Sequence, residues 1–226
     1  MKTSGRLKSN EPEVSVAVIA GGLSERFGRP KARARLQGRE LIDWALALAH
    51  RLSPRPFIVH TEVDHFSDKP VCKVADMVPR CGPIGGVYTA LVHASTDWVA
   101  LIPCDMPLLP VEIYHHLLQQ RQENRPIVAR SHKGLEPLVS VWPVVLKEEL
   151  KTWIQQERYR LWRFLQQFNA LSVAIPEEIP TYDPCWFWNV NFPEELRELE
   201  IYLKQAKSEP EKNQKNVEKF PPAPLK

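Results

Sequence analysis

A chain of 226 residues with 43% hydrophobic and 25% charged side chains has the apolar content of one compact globular domain, which excludes a wholly disordered protein. Thirty basic against 27 acidic residues leave a net charge of +3, too balanced for a general nucleic-acid binder but compatible with a local cationic cluster for phosphates. The polar start MKTSGRLKSNEPE lacks the apolar core of a signal peptide, and no later run reaches membrane-span length, so a cytoplasmic protein that engages neither membrane nor nucleic acid is expected.

The first element begins at Val14, where VSVAVIA, rich in β-branched residues, predicts a strand buried on both faces that ends at Gly21-Gly22. After a polar loop, ELIDWALALAHRL sets Leu41, Ile42, Ala45, Leu48, Ala49 and Leu52 at helical spacing. PFIVHT and VCKVA predict further strands, and IGGVYTALVHA a helix introduced by the turn Cys81-Gly82-Pro83. DWVALIPCD predicts another buried strand that ends at Asp105, with Pro107 and Pro110 closing it and opening the helix EIYHHLLQQRQ. PIVAR and PLVSVW read as strands joined by the turn-like SHKGLE. Helices are expected across 146–156 and 159–168, strands at LSVAI and WFWNV, and a final helix from Pro193.

This alternation predicts an α/β fold built on a single doubly wound, mostly parallel sheet, with PIVAR and PLVSVW as an antiparallel pair at one side. The domain is expected to span 14–206, after a flexible segment 1–13. Residues 207–226, dominated by Lys, Glu, Asn, Gln and Pro, read as a disordered tail. Cys72, Cys81, Cys104 and Cys185 are scattered, with no C-x-x-C pair, and read as reduced structural thiols.

Four clusters carry candidate chemistry. The segment Ile19-Ala20-Gly21-Gly22-Leu23-Ser24-Glu25-Arg26-Phe27-Gly28-Arg29-Pro30-Lys31 follows the first strand directly. Its paired glycines allow backbone N–H groups to approach a triphosphate, and Arg26 and Lys31 supply countercharge. Neither G-x-x-x-x-G-K-[ST] nor G-x-G-x-x-G is present, which turns the reading away from P-loop ATPases and dehydrogenases. Pro103-Cys104-Asp105-Met106-Pro107 places a carboxylate at a strand end, where it could share a magnesium ion with phosphates or simply cap the next helix. Asp76, ahead of Cys81-Gly82-Pro83-Ile84-Gly85-Gly86, could accept from a base or ribose, or be loop punctuation. Asn189-Val190-Asn191 would put two amides on one face of an extended strand, for metal-bound water or an acceptor, or as plain turn chemistry.

In joint order, AGG-x-S-x-R-F-G-x-x-K, D…GPIGG, CDMP, EPL and NVN-x-PEEL, these segments resemble the molybdenum cofactor guanylyltransferase family of nucleotidyltransferases. The likeness runs from Val14 to Leu199. It implies a Rossmann-like nucleotidyltransferase fold, GTP phosphates on Ile19, Ala20, Gly21, Gly22 and Lys31, and magnesium (Mg2+) on Asp105. It further implies nucleoside contacts from Asp76 and from the strand end at His60, and Asn189 and Asn191 beside the acceptor. The implied catalytic set is Lys31, Asp105 and Arg26. The implied substrates are GTP and the molybdenum-pterin cofactor, whose terminal phosphate would attack the α-phosphorus of GTP; proteins that deliver or accept the cofactor are conceivable partners.

The chain departs from the family pattern in three places. Pro30 stands where the family commonly has Asp, Arg33 and Arg35 where it has apolar residues, and His60 where Asn is frequent. Two rival enzymes stay open on these residues, a cytidylyltransferase on the same cofactor and a sugar-1-phosphate nucleotidyltransferase. A noncatalytic nucleotide-binding partner module is the rival from another class.

Overall fold

The computed structural model describes residues 14–21, 30–122 and 124–208. The expected flexible N-terminus, Gly22, Arg26 and most of the expected tail lie outside the described residues. One mostly parallel sheet of seven strands runs in the order β5-β4-β1-β6-β8-β7-β9. Its members are β1 (Ser15–Ile19), β4 (Phe57–His60), β5 (Cys72–Ala75), β6 (Trp98–Pro103), β7 (Ile127–Ser131), β8 (Gly134–Pro143) and β9 (Leu171–Ala174). Strands β1, β4, β5 and β6 are mutually parallel, and the continuous apolar runs of β1, β4 and β6 pack on both faces, while β5 at the edge buries only Val74. Alternation along β1 sends Val16 and Val18 into one core and Ala17 and Ile19 into the other.

The first core lies under α1 (Leu41–Leu52) and α3 (Val111–Gln119), through Ile42, Ala45, Ala49, Ile113 and Leu117. The second lies under α2 (Pro83–His93), α4 (Lys147–Gln155) and α5 (Leu161–Gln167), where Trp142 and Phe164 stack. Each fully buried large apolar side chain contributes roughly 1.5–3 kcal/mol. The long α1 and the buried strands therefore form where the hydrophobic pattern predicts them.

The expected antiparallel pair is present: β8 runs against β7 and also against β6, and β9 lies parallel beside β7 at the sheet edge. The hairpin turn is His132-Lys133, closed by the pairing of Ser131 with Gly134. The register slips between Val128 and Ala129, where Pro137 of the partner strand has no N–H to donate. The Ser140 hydroxyl donates to the Pro137 carbonyl at 2.8 Å and steadies this bulge.

Three expectations are corrected. WFWNV is not a strand: Pro184–Phe187 winds into a 3-10 turn because Pro184 suits its first position and the Asp183 carboxylate accepts from the Cys185 N–H at 2.9 Å. Asn189 and Asn191 consequently stand on an irregular segment outside the sheet rather than on one face of a strand. The helix expected across 159–168 starts two residues later, as α5. Two features escaped the sequence reading. A small hairpin of β2 (Arg35–Leu36) and β3 (Arg39–Glu40) precedes α1, and α6 (Ile175–Glu178) follows β9. The last helix, α7 (Pro193–Ser208), continues two residues into the segment expected to be tail. Among the described residues no helix is long and apolar enough to cross a membrane.

Candidate active site

The parallel strands point their C-terminal ends at one edge of the sheet, and Ala20, His60, Asp76 and Asp105 all stand there. Residue Lys31 opens a 3-10 turn, Lys31–Arg33, in which the Pro30 carbonyl accepts from Arg33 N–H and the Lys31 carbonyl from Ala34 N–H, both at 2.9 Å. Proline before such a turn is compatible with it, since Pro30 holds φ at −53°. From there Lys31 Nζ donates to Asp105 Oδ2 at 2.7 Å and to Asn191 Oδ1 at 3.2 Å. Both charged side chains are about one-fifth exposed, 21% and 22%, so the pair contributes on the order of 1 kcal/mol and separates at little cost.

Asp105 is not a helix cap. The helix α3 begins at Val111, its cap residue is Pro110, and no side chain caps it. The Asp105 carbonyl instead accepts from Val190 N–H at 2.8 Å, which fastens the Asn189–Asn191 segment beside the carboxylate. The Glu195 carboxylate accepts from Asn191 and Phe192 N–H, at 2.5 and 3.0 Å, and fixes the entry into α7. Asn189 Oδ1 is buried with no protein partner, a demand that an ordered ligand or hydrated cation would satisfy. Among the described residues no group of three or more His, Cys, Asp or Glu gathers as a metal cage. One carboxylate with nearby amide oxygens suits magnesium, which keeps waters and phosphate oxygens among its ligands.

Asp76 follows β5 and is tightly built in. Its N–H donates to the His60 carbonyl at 3.0 Å, its Oδ1 accepts from Val78 N–H at 3.0 Å and from the Thr89 hydroxyl at 3.2 Å, and Thr89 also accepts from Met77 N–H. Gly85, in the first turn of α2, admits this close approach: a Cβ there would stand 2.4 Å from the Val78 carbonyl oxygen and 3.1 Å from Asp76 Oδ1. Gly82 takes φ +71°, a conformation that side-chain-bearing residues resist. His60 is 6% exposed, with Nδ1 accepting from Glu62 N–H at 2.8 Å and its ring edge-on to Phe66. Burial holds its basicity below the usual histidine value, while the Glu62 carbonyl, 2.9 Å from Nδ1, opposes that shift. Ile19 and Ala20 are buried and hold the strand end through Cys104 N–H to Ile19 O and Ala20 N–H to Val59 O, while Gly21 is exposed.

The geometry thus brings Lys31 into contact with Asp105 and Asn191, sets Asn189 beside them, and groups Asp76 with His60 on the other side of β1. It also adds residues to which the sequence assigned no role. Glu136 of the EPL segment is half-buried, its acidity weakened by burial and by the negative charge of Asp105, while Lys133 opposes that shift. Ser131 donates to it at 2.7 Å. A carboxylate just past a hairpin turn, next to the helix-breaking Pro137, is the only signal that could have marked it. Thr89, one helical turn beyond the glycines of α2, carries no sequence signal at all. Cys104 adjoins Asp105, but burial pushes its thiol up to about 12, which removes it as a nucleophile.

An α/β sheet that collects its charged groups at the C-terminal ends of its parallel strands sets them where sheets of this kind bind ligands, and the class of ligand follows from the relatives of the chain. Residues 16–172 match the MobA-like NTP transferase domain. The molybdenum cofactor guanylyltransferase of Rhizobium meliloti (strain 1021) is 33% identical over 202 residues, covering 82% of this chain and 90% of that protein. The enzyme of the same name from Rhizobium johnstonii is 32% identical over 211 residues, covering 88% and 97%. The crystal structure of molybdopterin-guanine dinucleotide biosynthesis protein A from Archaeoglobus fulgidus superposes with a TM-score of 0.72 at 24% identity, over 85% of this chain and all of that one. A likeness at that identity speaks for the fold alone. The chain belongs to the molybdenum cofactor guanylyltransferase family, and is an enzyme of the nucleotidyltransferase class.

Proposed function

We propose that the chain transfers GMP from GTP to the terminal phosphate of the molybdenum-pterin cofactor and releases pyrophosphate. The observation that carries this reading is the meeting of Lys31, Asp105 and Asn191 from three distant parts of the sequence. The relatives' names, guanylyltransferases of the molybdenum cofactor, supply the base and the acceptor.

In the reaction an oxygen of the acceptor phosphate forms a bond to the α-phosphorus of GTP as the bond from that phosphorus to the bridging β-oxygen breaks. The electron pair leaves with pyrophosphate. Lys31 moves from Asp105 to the phosphates and offsets their charge as it shifts toward the leaving group. Asp105, freed of its ion pair, would hold Mg2+ together with Asn189 or Asn191 through amide oxygen or water. That ion, when bound, supplies Lewis-acid neutralisation of phosphate charge. Past Ile19 and Ala20, whose N–H stays bonded to the Val59 carbonyl, the N–H groups of Gly21 and Gly22 would carry part of the triphosphate and Arg26 would supply countercharge. Asp76 and the strand end at His60 would orient the nucleoside. Positioning carries the rate, and no covalent enzyme intermediate forms.

The test is pyrophosphate release by the purified chain with magnesium and the molybdenum-pterin cofactor, with GTP, CTP and ATP supplied separately. GTP-specific release is expected. Release with CTP alone would move the base assignment, and nucleotide binding without release from any triphosphate would replace the enzyme reading with a binding module.

A further inference from the structure

Arg33 is one of the residues at which this chain departs from the family pattern, and the structure gives it a dense set of partners. Its Nε donates to the His65 carbonyl at 2.9 Å, and Nη1 donates to Glu40 Oε2 at 2.8 Å and to Asp68 Oδ2 at 3.0 Å. Nη2 bonds both Asp68 Oδ1 and the His65 carbonyl. All five N–H donors of the guanidinium are therefore engaged. Lys69 Nζ binds Glu40 and Asp43 at 2.7 Å each and closes the ionic cluster. The guanidinium carbon also lies 5.4 Å from the centre of the Phe66 ring, and Phe66, fully buried, meets the His60 ring edge-on at 5.0 Å.

Arg33 is the last residue of the turn that Lys31 opens. We infer that Arg33 is a positioning residue that clamps the Lys31 turn to the 62–69 segment after β4, and so holds the phosphate lysine at a fixed separation from the nucleoside edge at His60 and Asp76. The inference rests on the proposed GTP-dependent reading. An apolar residue at this position could pack on Phe66 but could not join the two segments, and lysine could not reproduce the forked contacts.

The test compares the full-length wild type with R33L and R33K, first by KM for GTP and for the acceptor in pyrophosphate release. Amide hydrogen exchange across 31–36 and 61–69 is then followed without nucleotide. R33L is expected to raise the KM for GTP by about tenfold with the acceptor KM unchanged, and R33K to restore little of it. Exchange should quicken in both segments together while α3 stays protected. An unchanged GTP KM, an equal rise in both KM values, or faster exchange in one segment alone would overturn the clamp. Absence of pyrophosphate release by the wild type would overturn the functional reading instead, and the paired exchange response would still decide whether Arg33 joins the two segments.

Discussion

The two ends of the candidate site, proposed above to take the phosphates and the nucleoside, are built by opposite means. At the phosphate end, Lys31 is paired with Asp105 by a partly exposed contact that separates at little cost, and Asn189 keeps a buried oxygen without a protein partner. At the nucleoside end, Asp76, Thr89, Val78 and His60 are knitted by hydrogen bonds, and Gly85 leaves no room for another atom. The first end is made to exchange partners and the second to keep them. A transferase needs both: the nucleoside must be held still while charge moves along the phosphates.

The sharpest way to break this comparison is to remove the exchanging groups. Asp105→Ala and Lys31→Ala should each lower kcat by roughly a hundredfold or more, with little change in the melting temperature, because both side chains sit above a scaffold that does not depend on them. Near-normal turnover in a folded Asp105→Ala protein would remove the metal assignment. Next in size, Asn191→Ala should cost about tenfold in kcat/KM for the acceptor while leaving GTP affinity close to normal, as read by steady-state kinetics with each substrate varied. Equal losses for both substrates would show that Asn191 acts through Lys31.

The nucleoside end should answer differently. Gly85→Ala forces a methyl group against the Val78 carbonyl and the Asp76 carboxylate, so it should lower stability by about 1–3 kcal/mol and raise the KM for GTP several-fold. Chemical denaturation and kinetics on the same preparation check both. The smallest effect concerns pH. Burial holds the His60 value below the 6.5 of an unfolded chain, so the unfolded state takes up the proton first. Stability is therefore complete above about pH 6.5 and declines as pH falls through the window beneath it. His132 shifts in the same direction, also through burial. The melting temperature of His60→Asn should accordingly depend less steeply on pH between about 7 and 5, and retain the part that belongs to His132.

Much of this was legible in the sequence, and the reason lies in periodicity. The strands β1, β4 and β6 are buried on both faces and read as uninterrupted apolar runs, and α1 repeats its apolar residues at helical spacing. Asp105 stands where such a run stops, and Lys31 closes the glycine-bearing loop that follows another, which is why both could be marked. WFWNV misled because its aromatic residues favour strands, whereas one proline and one capping aspartate decide the local geometry. The two-residue strands of the β2–β3 hairpin are too short to produce a period. The Arg33–Asp68 contact joins residues 35 positions apart by side-chain geometry alone, and no local pattern announces it.

The bond between Val190 N–H and the Asp105 carbonyl has a consequence for biosynthesis. Lys31 and Asn191 are separated by 160 positions, so the segment that completes the candidate site is among the last parts of the described chain to be translated. A chain that has emerged only as far as β9 contains the sequence of all seven strands, yet it lacks Asn189 and Asn191 and the core residues Ile175, Ile179 and Phe187. The strands are thereby all synthesised before the segment that brings Asn191 to Lys31, so the candidate site is closed last in the order of synthesis.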